Sequence, residues 1–330
     1  MNLLKVTSSP HVKHPDNTRS IMLDVVIALM PAFIWSIYIF GVRALSVTAI
    51  TVASSVLFEY LYRKLMKKDN TIGDLSAVVT GILLAFNLPV SVPLWLPVIG
   101  SFFAIVVVKQ LYGGIGKNVV NPALAARVFL FIAYSSEMTS FSKVGEHLPA
   151  FQVELSKKVV DIVSTATPLQ SLQKGNIPHE NLMDLFVGRV SGSFGEISAL
   201  LLILGGVYLI IRKVITLHIP LAYIGTVAIL TFFFPNNMNG LNFCAYELFA
   251  GGLMIGAFFM ATDYTTSPIT AKGRIIYGVG CGLITVFIRY FGYPEGVSFS
   301  ILIMNLFVWY LDKWTKPQNF GGGKLAKAKE

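Results

Sequence analysis

The sequence is poor in charge and in cysteine. Only 13% of its 330 residues are Asp, Glu, Lys or Arg, whereas a soluble domain has about 25%. The two cysteines, Cys244 and Cys281, lie far apart and form no CxxC pair. This spacing excludes a disulfide framework and a self-contained iron–sulfur site. The five histidines are dispersed without metal-ligand spacing, so no metal site is predicted.

The sequence is rich in apolar residues. Hydrophobic residues make up 54% of the chain, and the mean hydropathy is +0.67. The composition therefore predicts an integral membrane protein in contact with lipid. The net charge of +9 is spread between apolar segments and forms no continuous basic stripe, which argues against a nucleic-acid partner. Basic loops on one side of a membrane explain the net positive charge better than a nucleic-acid partner does.

Ten apolar segments predict an all-α polytopic membrane protein with ten transmembrane helices. The first apolar run, 21–40, is too long for the core of a signal peptide, so we expect it to be retained as a spanning helix. The predicted spans are 20–41, 44–62, 74–89, 93–111, 119–135, 196–212, 217–234, 246–262, 274–291 and 297–312.

The distribution of Lys and Arg predicts the orientation of these spans. Most of the 26 basic residues fall on one side if the N-terminus is cytoplasmic, as the positive-inside rule requires. The inner set includes Lys109 and Arg127, and the outer set includes Arg43 and Arg289. Both termini are then cytoplasmic, and the long polar insert between spans five and six lies outside.

The insert divides the chain into two halves of five spans, and an odd number of spans per half gives the halves opposite topology. Spans three and eight are short and end near prolines, which is typical of broken helices around a central binding site; two merely short helices are the alternative. The predicted organisation is a first repeat at 1–135, the insert at 136–194, a second repeat at 195–315 and a basic cytoplasmic tail at 316–330.

The insert carries a hydroxyl-rich stretch, Asp161-Ile-Val-Ser164-Thr165-Ala166-Thr167-Pro168. Pro168 biases Thr167 towards an extended backbone, which makes the Thr167 hydroxyl available for chemistry. The alternative is a solvated turn of Ser and Thr residues with no modification, because short motifs often match by chance.

Two further polar segments border the apolar spans on the predicted cytoplasmic side. Glycines Gly113 and Gly114 precede Asn118 and Asn121 at the start of span five, where backbone amides favour anions; a tight turn is the alternative. Asp74 and Asp263 lie at the edges of the short spans three and eight. Carboxylates at membrane depth are functional candidates, although at the interface they can simply be solvated.

Taken together, these motifs cover nearly the whole chain and resemble the RnfD/NqrB family of membrane subunits. The shared segments are Ser9-Pro10-His11, Gly73-Asp74-Leu75-Ser76-Ala77 with Thr80-Gly81 and Leu88-Pro89, Gly113-Gly114-x-Gly116 with Asn121-Pro122-Ala123, Asp161-x-x-Ser164-x-Ala166-Thr167, Gly192-x-x-Gly195-Glu196, Ala261-Thr262-Asp263 with Ser267-Pro268, and Pro294-Glu295-Gly296 to Asn305. Thr165 stands where the family motif usually has Gly. The short N-terminal part favours the RnfD branch.

The resemblance implies a subunit of a redox-driven ion pump in the bacterial cytoplasmic membrane. It implies FMN bound covalently to Thr167 through a phosphoester, with Asp161, Ser164, Thr165 and Ala166 completing the attachment motif. It also implies a dedicated flavin transferase, a possible non-covalent riboflavin, and partner subunits of the Rnf A, B, C, E and G types that hold the iron–sulfur and NAD sites. The chain would then take part in ferredoxin:NAD⁺ electron transfer coupled to Na⁺ or H⁺ translocation, with no catalytic residue of its own assigned.

Asp74, Gly113, Gly114, Asn118, Asn121 and Asp263 are the candidates for a second flavin or an ion pathway. Three alternatives stay open at this stage. One is an NqrB-like subunit of a Na⁺-pumping NADH:quinone reductase. Another is a flavin-free secondary transporter or channel of similar architecture, and the third is a structural anchor that only docks redox partners.

Overall fold

A computed structural model describes residues 17–142, 145, 148–151, 167–173, 175–176, 178, 180–196, 198–236, 238–293 and 295–317. All regular structure in these residues is helical. The helices before and within the insert are α1 (Thr18–Phe40), α2 (Val42–Leu65), α3 (Ser76–Phe86), α4 (Trp95–Phe102, continued by a π-helix at Phe103–Gln110), α5 (Pro122–Ala133), α6 (Ser135–Met138), α7 (Pro168–Gln173) and α8 (Leu182–Val187).

The helices after the insert are α9 (Ala199–Ile211), α10 (His218–Phe233), α11 (Gly240–Phe249), α12 (Leu253–Ile255, continued by a π-helix at Gly256–Met260), α13 (Ala271–Phe291) and α14 (Val297–Thr315). Among the described residues, α1, α2 and α13 are long and apolar enough to cross a membrane. The bent pair formed by α11 and α12 with its π-helix passes the same test when its two parts are taken together, as a broken span or a re-entrant loop. At 1.5 Å per residue the 23-residue α1 is about 34 Å long, enough for a bilayer core. The ten-span arrangement stays a prediction.

Local sequence explains where the first helices begin and end. The side chain of Asn17 accepts a hydrogen bond from the Ser20 amide at 2.9 Å, and the Ser20 hydroxyl accepts one from the Asn17 amide at 3.0 Å. This reciprocal cap starts α1. Gly41 has φ 74°, and its amide donates to the Ile37 carbonyl at 2.8 Å. The chain therefore ends α1 and enters α2 through a single glycine.

Two breaks interrupt the helical packing. The first follows α3, where residues 87–94 contain Pro89 and Pro93, and the second separates α11 from α12 with a 65° bend. Arg43 holds the first break: its guanidinium donates to the Val90 carbonyl at 3.4 Å and the Val92 carbonyl at 2.8 Å. It also donates to the Ala150 carbonyl of the insert at 3.1 Å. One buried arginine thus joins the break to the insert.

Four of the basic residues that contribute to the orientation argument are buried side chains rather than loop charges. Lys109, Arg127, Arg43 and Arg289 are each 3–4% exposed. Lys109 and Arg127 belong to the predicted inner set, and Arg43 and Arg289 belong to the outer set. Leaving out all four removes two residues from each set, so the inner set still has more Lys and Arg. Their polar partners lie inside the protein, where a buried charge requires pairing.

The two halves of the chain meet where α1 packs against α9. Gly205 of α9 lies directly on the backbone of α1: a Cβ at this position would overlap the carbonyl oxygen of Ala28 and come within 3.0 Å of Phe259 Cζ. The close approach therefore depends on a residue without a side chain.

We expect Gly205→Ala to destabilise the protein, because the added methyl meets backbone that cannot rotate away. Overpacking of this kind costs about 1–3 kcal/mol. The measurement is thermal unfolding of the protein in detergent. Gly225→Ala in α10 is the matched control, since nothing lies within 4 Å of a Cβ there. Equal melting temperatures for the two variants would contradict the packing described at α1 and α9.

Candidate functional site

Thr167 lies at the start of α7 in non-helical backbone and is half-buried. Its hydroxyl accepts a hydrogen bond from the Gln170 amide at 3.3 Å, and its own amide donates to Gln170 Oε1 at 3.2 Å. This is a reciprocal cap, and Pro168 occupies the first helical position, where a proline costs no hydrogen bond. The sequence therefore folds locally so that Thr167 is fixed just outside the helix.

A cleft of about 400 Å³ opens beside this hydroxyl, and we call it the Thr167 cleft. Its volume lies in the range of about 300–1,000 Å³ found for small-molecule sites. Three aromatic rings of the wall contact one another: Phe131 meets Tyr293 at 5.5 Å and Phe299 at 6.2 Å between centroids. Tyr293 and Phe299 stack at 5.9 Å. The other lining residues are Ile132, Ser135, Met138, Thr139, Phe141, Thr167, Gln170 and Glu295.

The cleft fits a flavin at Thr167 in two respects. Aromatic side chains provide faces and edges against which a planar ring can pack, and the threonine oxygen lies at the wall rather than in the core. The other residues of the predicted attachment motif, Asp161, Ser164, Thr165 and Ala166, lie outside the described residues.

Asn118, Asn121 and Asp263 come together at a second cavity of about 310 Å³, which we call the Asp263 cavity. It is bordered by the first turns of α1, by α3 and by the end of the π-helix that continues α4. The segment before α5 and the segment after α12 close it. The remaining residues that line it are mostly apolar: Thr18, Ile21, Met22, Val25, Ser76, Val79, Thr80, Leu83, Lys109, Ile115, Pro122, Ala123, Leu209, Val214, Ile215, Phe258, Phe259, Thr262, Tyr264 and Thr265.

The Asp263 carboxyl group accepts hydrogen bonds from hydroxyls close to it in sequence. The hydroxyls of Thr265 and Thr266 donate to its Oδ2 at 3.0 and 3.1 Å. Burial raises the pKa of the Asp263 carboxyl, and hydrogen bonds from Thr265, Thr266 and Asn118 act in the opposite direction. The cavity thus offers a carboxyl and amides at one end of a largely apolar space, a combination typical of ligand sites.

Asn121 also has a structural role. Its side-chain oxygen accepts from the amides of Ala123 and Leu124 at 3.0 and 3.3 Å, and its side-chain nitrogen donates to the Met260 carbonyl at 3.3 Å. It therefore caps α5 and ties it to the end of the broken pair α11–α12.

Asp74 reaches the cavity through Ser76, and the two predicted glycines lie beside it. Asp74 accepts from the Ser76 hydroxyl at 2.6 Å, and Lys109 donates to that same hydroxyl at 2.6 Å and to Glu59 at 2.8 Å. Gly113 and Gly114 have φ 117° and 97° and form the turn after α4. They do not line the cavity, to which this turn contributes Ile115.

A buried charge cluster lies beside the Thr167 cleft, and no sequence motif brings its members together. Arg127 of α5 donates to Asn87 Oδ1 at 2.5 Å and to Glu196 Oε1 at 2.8 Å, and it also pairs with Glu295. We call these four residues the Arg127 cluster. The pairs join residues 40, 69 and 168 positions apart, so no local pattern identifies them. A charge inside an apolar helix points to Arg127 alone, and the shared segments around Glu196 and Glu295 point to each glutamate separately.

None of the described residues lines both the Thr167 cleft and the Asp263 cavity. The Asp263 cavity contacts the first turns of α1 at residues 18–25. Near the other end of α1, the Trp35 indole donates to the Gly188 carbonyl of the insert at 3.3 Å. The two sites are therefore separate in their lining.

Comparison with known proteins gives consistent results along almost the entire chain. The model of the NQR2, RnfD, RnfE family matches residues 5–321. The D subunit of the Na⁺-translocating ferredoxin:NAD⁺ oxidoreductase complex of Acetobacterium woodii is 47% identical over 330 residues, covering 98% of this chain and 97% of the relative. The D subunit of the proton-translocating ferredoxin:NAD⁺ oxidoreductase complex of Clostridium ljungdahlii is 41% identical, covering 97% of each. The D subunit of the ion-translocating oxidoreductase complex of Stutzerimonas stutzeri is 38% identical, covering 93% of each.

Proposed function

Because the chain belongs to the NQR2, RnfD, RnfE family, we propose that it is the D-type membrane subunit of an ion-translocating ferredoxin:NAD⁺ oxidoreductase. Relatives named for this role match 97–98% of the chain at 41–47% identity, and that likeness carries the proposal. It favours the ferredoxin-linked complex over the NADH:quinone reductase alternative. One of these relatives is named for Na⁺ translocation and the other for proton translocation. The likeness is therefore compatible with either Na⁺ or H⁺ as the coupling ion of this chain's complex.

FMN is attached to Thr167 in this proposal. Bound FMN supplies one- and two-electron redox chemistry. Thr167 Oγ1 would be the ester oxygen that holds the FMN phosphate, and Gln170 keeps the threonine at the wall of the cleft through the two cap hydrogen bonds. Phe131, Tyr293 and Phe299 provide the apolar wall for the ring. Asp161, Ser164, Thr165 and Ala166 form the segment that the flavin transferase recognises during maturation.

The Asp263 cavity serves a second flavin, riboflavin held without a covalent bond. Asn118, Asn121 and Asp263 provide the polar edge, and the apolar lining receives the ring. Asp74 orients Ser76 at the wall, and Gly113 and Gly114 shape the turn that positions Ile115. The alternative is that this cavity forms a passage for the coupling ion. The flavin content of the purified protein distinguishes a flavin site from an ion passage.

The architecture proposed for this function is ten spans in two inverted five-helix repeats, in a bacterial cytoplasmic membrane with both termini inside. Corresponding helices pack in similar ways: α2 packs on α3 and α4, and α10 packs on α11 and α13. In the proposed repeats, α3 with the break that follows it corresponds to the broken pair α11–α12. The insert at 136–194 then faces outward. The Rnf subunits of the A, B, C, E and G types complete the complex.

Deletion of this chain tests the proposed function. We expect membranes whose complex lacks only this chain to lose ferredoxin-dependent NAD⁺ reduction and the ion uptake driven by it, and we expect both to return on complementation. Unchanged NAD⁺ reduction would reject a role in electron transfer. A colourless preparation of the purified chain would favour the flavin-free transporter.

A further inference from the structure

The Arg127 cluster contacts the Thr167 cleft on one side. Glu295 lines that cleft together with Thr167, and Glu196 joins both residues in the wall of a smaller cavity of about 30 Å³ next to it. The Arg127 and Glu196 side chains are 5% and 3% exposed, and that of Glu295 is 22% exposed. Glu295 is therefore the member of the cluster nearest to the open cleft.

On its other side the cluster contacts both helix breaks. Asn87 ends α3, and its side-chain oxygen accepts from Arg127. Gly252 lies between α11 and α12, and a Cβ there would come within 2.5 Å of Glu196 Oε1 and 3.4 Å of Arg127 Nη1. One guanidinium thus connects the threonine cleft to the two broken elements.

Two acidic side chains share one basic side chain in the cluster. Glu196 and Glu295 both pair with the single guanidinium of Arg127. The guanidinium of Arg289, which lies at the second break, is engaged by Glu247 at 2.7 Å and by the Glu247 carbonyl at 2.6 Å. A further charge placed beside these buried pairs acts on them strongly, because the protein interior screens it little.

We propose that the Arg127 cluster transmits the charge of the flavin on Thr167 to the two helix breaks, with Glu295 as the residue that senses it. This inference rests on the proposed flavin at Thr167. Reduction of that flavin by one electron without uptake of a proton, the electron coming from an iron–sulfur centre or a flavin of a partner subunit, would add one negative charge beside Glu295. No covalent bond forms or breaks in the cluster.

The added charge repels the Glu295 carboxylate and attracts Arg127 towards the cleft. Arg127 then gives up part of its interaction with Glu196 and Asn87, which are its contacts with the breaks. The free energy of the backbone conformation at the two breaks, at Asn87 and Gly252, therefore differs between the oxidised and the reduced state of the flavin. Such a difference is what a redox centre needs in order to shift a conformational equilibrium. Arg127, Glu196 and Glu295 are positioning residues in this scheme, and none of them handles electrons.

The test uses Arg127→Gln and Glu295→Gln in the assembled complex in proteoliposomes, with three readouts. These are covalent flavin on this chain, the rate of ferredoxin-dependent NAD⁺ reduction, and the number of ions moved per NADH. We expect covalent flavin to persist in both variants and ions moved per NADH to fall roughly tenfold, a typical size for coupling between two sites, while the rate of NAD⁺ reduction changes by a smaller factor. Arg189→Gln, at an exposed arginine of the insert, is the control and leaves all three unchanged.

The flavin midpoint potential provides a readout that a purely structural role does not move. Glu295→Gln removes a negative charge beside the ring, so the potential should become more positive, and Arg127→Lys should restore part of the coupling that Arg127→Gln loses. Glu295→Gln keeps the test decisive if Arg127→Gln fails to assemble, because Glu295 is partly exposed. An unchanged number of ions per NADH in Glu295→Gln, or an equal fall in electron transfer and ion transport, overturns the inference. Absence of covalent flavin from the unmodified chain instead removes the proposed function itself.

Discussion

Replacing Thr167 with alanine should abolish covalent flavin on this chain. The substitution removes the only oxygen of that side chain, and with it the atom proposed to form the phosphoester. The measurement is flavin fluorescence of the protein band after denaturing electrophoresis. We expect full loss of the signal in Thr167→Ala and a retained signal in Thr167→Ser, which keeps a hydroxyl at the same backbone position.

Two controls separate this loss from misfolding. Alanine also removes the hydroxyl that accepts from the Gln170 amide, and loss of such a cap costs about 1 kcal/mol. Gln170→Ala removes the reciprocal cap contact but leaves the hydroxyl, so it should keep covalent flavin. Ser171→Ala tests a neighbouring hydroxyl of α7 and should also keep it. A fluorescent Thr167→Ala band would move the attachment to another residue.

Replacing Asn118 with alanine should release the non-covalent flavin and leave the covalent one in place. Asn118 is buried and lines the Asp263 cavity together with Asp263. Its loss removes a polar group from the cavity wall, and the hydrogen bond that it is proposed to make to the ligand is worth about 1–3 kcal/mol when the partner is left buried and unsatisfied. That corresponds to roughly 5- to 150-fold weaker binding.

The measurement for Asn118→Ala is the flavin released by acid extraction from the purified protein, with the denaturing gel as an internal reference for covalent flavin. Asn239→Ala is the matched control, since that asparagine is exposed and lies outside both cavities. Extractable flavin that is equal in the two variants would assign the Asp263 cavity to the ion pathway instead.

Sequence reasoning accounts best for features with a local cause. Pro168 after Thr167 predicts an extended threonine, and the structure has Thr167 outside the helix that Pro168 begins. The all-helical class follows from the ten apolar segments, because a continuous apolar segment in lipid satisfies its backbone hydrogen bonds by forming a helix. The described residues are helical wherever they have regular structure. The grouping of Asn118, Asn121 and Asp263 at one cavity is partly predictable, since all three border predicted spans on the same side.

The Arg127 cluster shows what the sequence does not reveal. Its carboxylates come from the segments before α9 and α14, and its arginine comes from α5. Asn87, the fourth member, ends α3. Only the packing of these four distant segments brings the cluster together, so no spacing along the chain can indicate it. The positive-inside rule treats Arg127 and Lys109 as loop charges, because it counts residues near span ends without regard to burial. In the structure both are buried and paired.

Peptide mass spectrometry can detect FMN on Thr167 without relying on fluorescence or activity. Trypsin cleavage after Lys158 and Lys174 releases the peptide 159–174, which contains Thr167, Ser164, Thr165 and Ser171. We expect this peptide to carry the added mass of one FMN less one water, and fragmentation to assign the addition to Thr167. A fully unmodified peptide from the assembled complex, or an addition on a different residue, would contradict the attachment of FMN to Thr167.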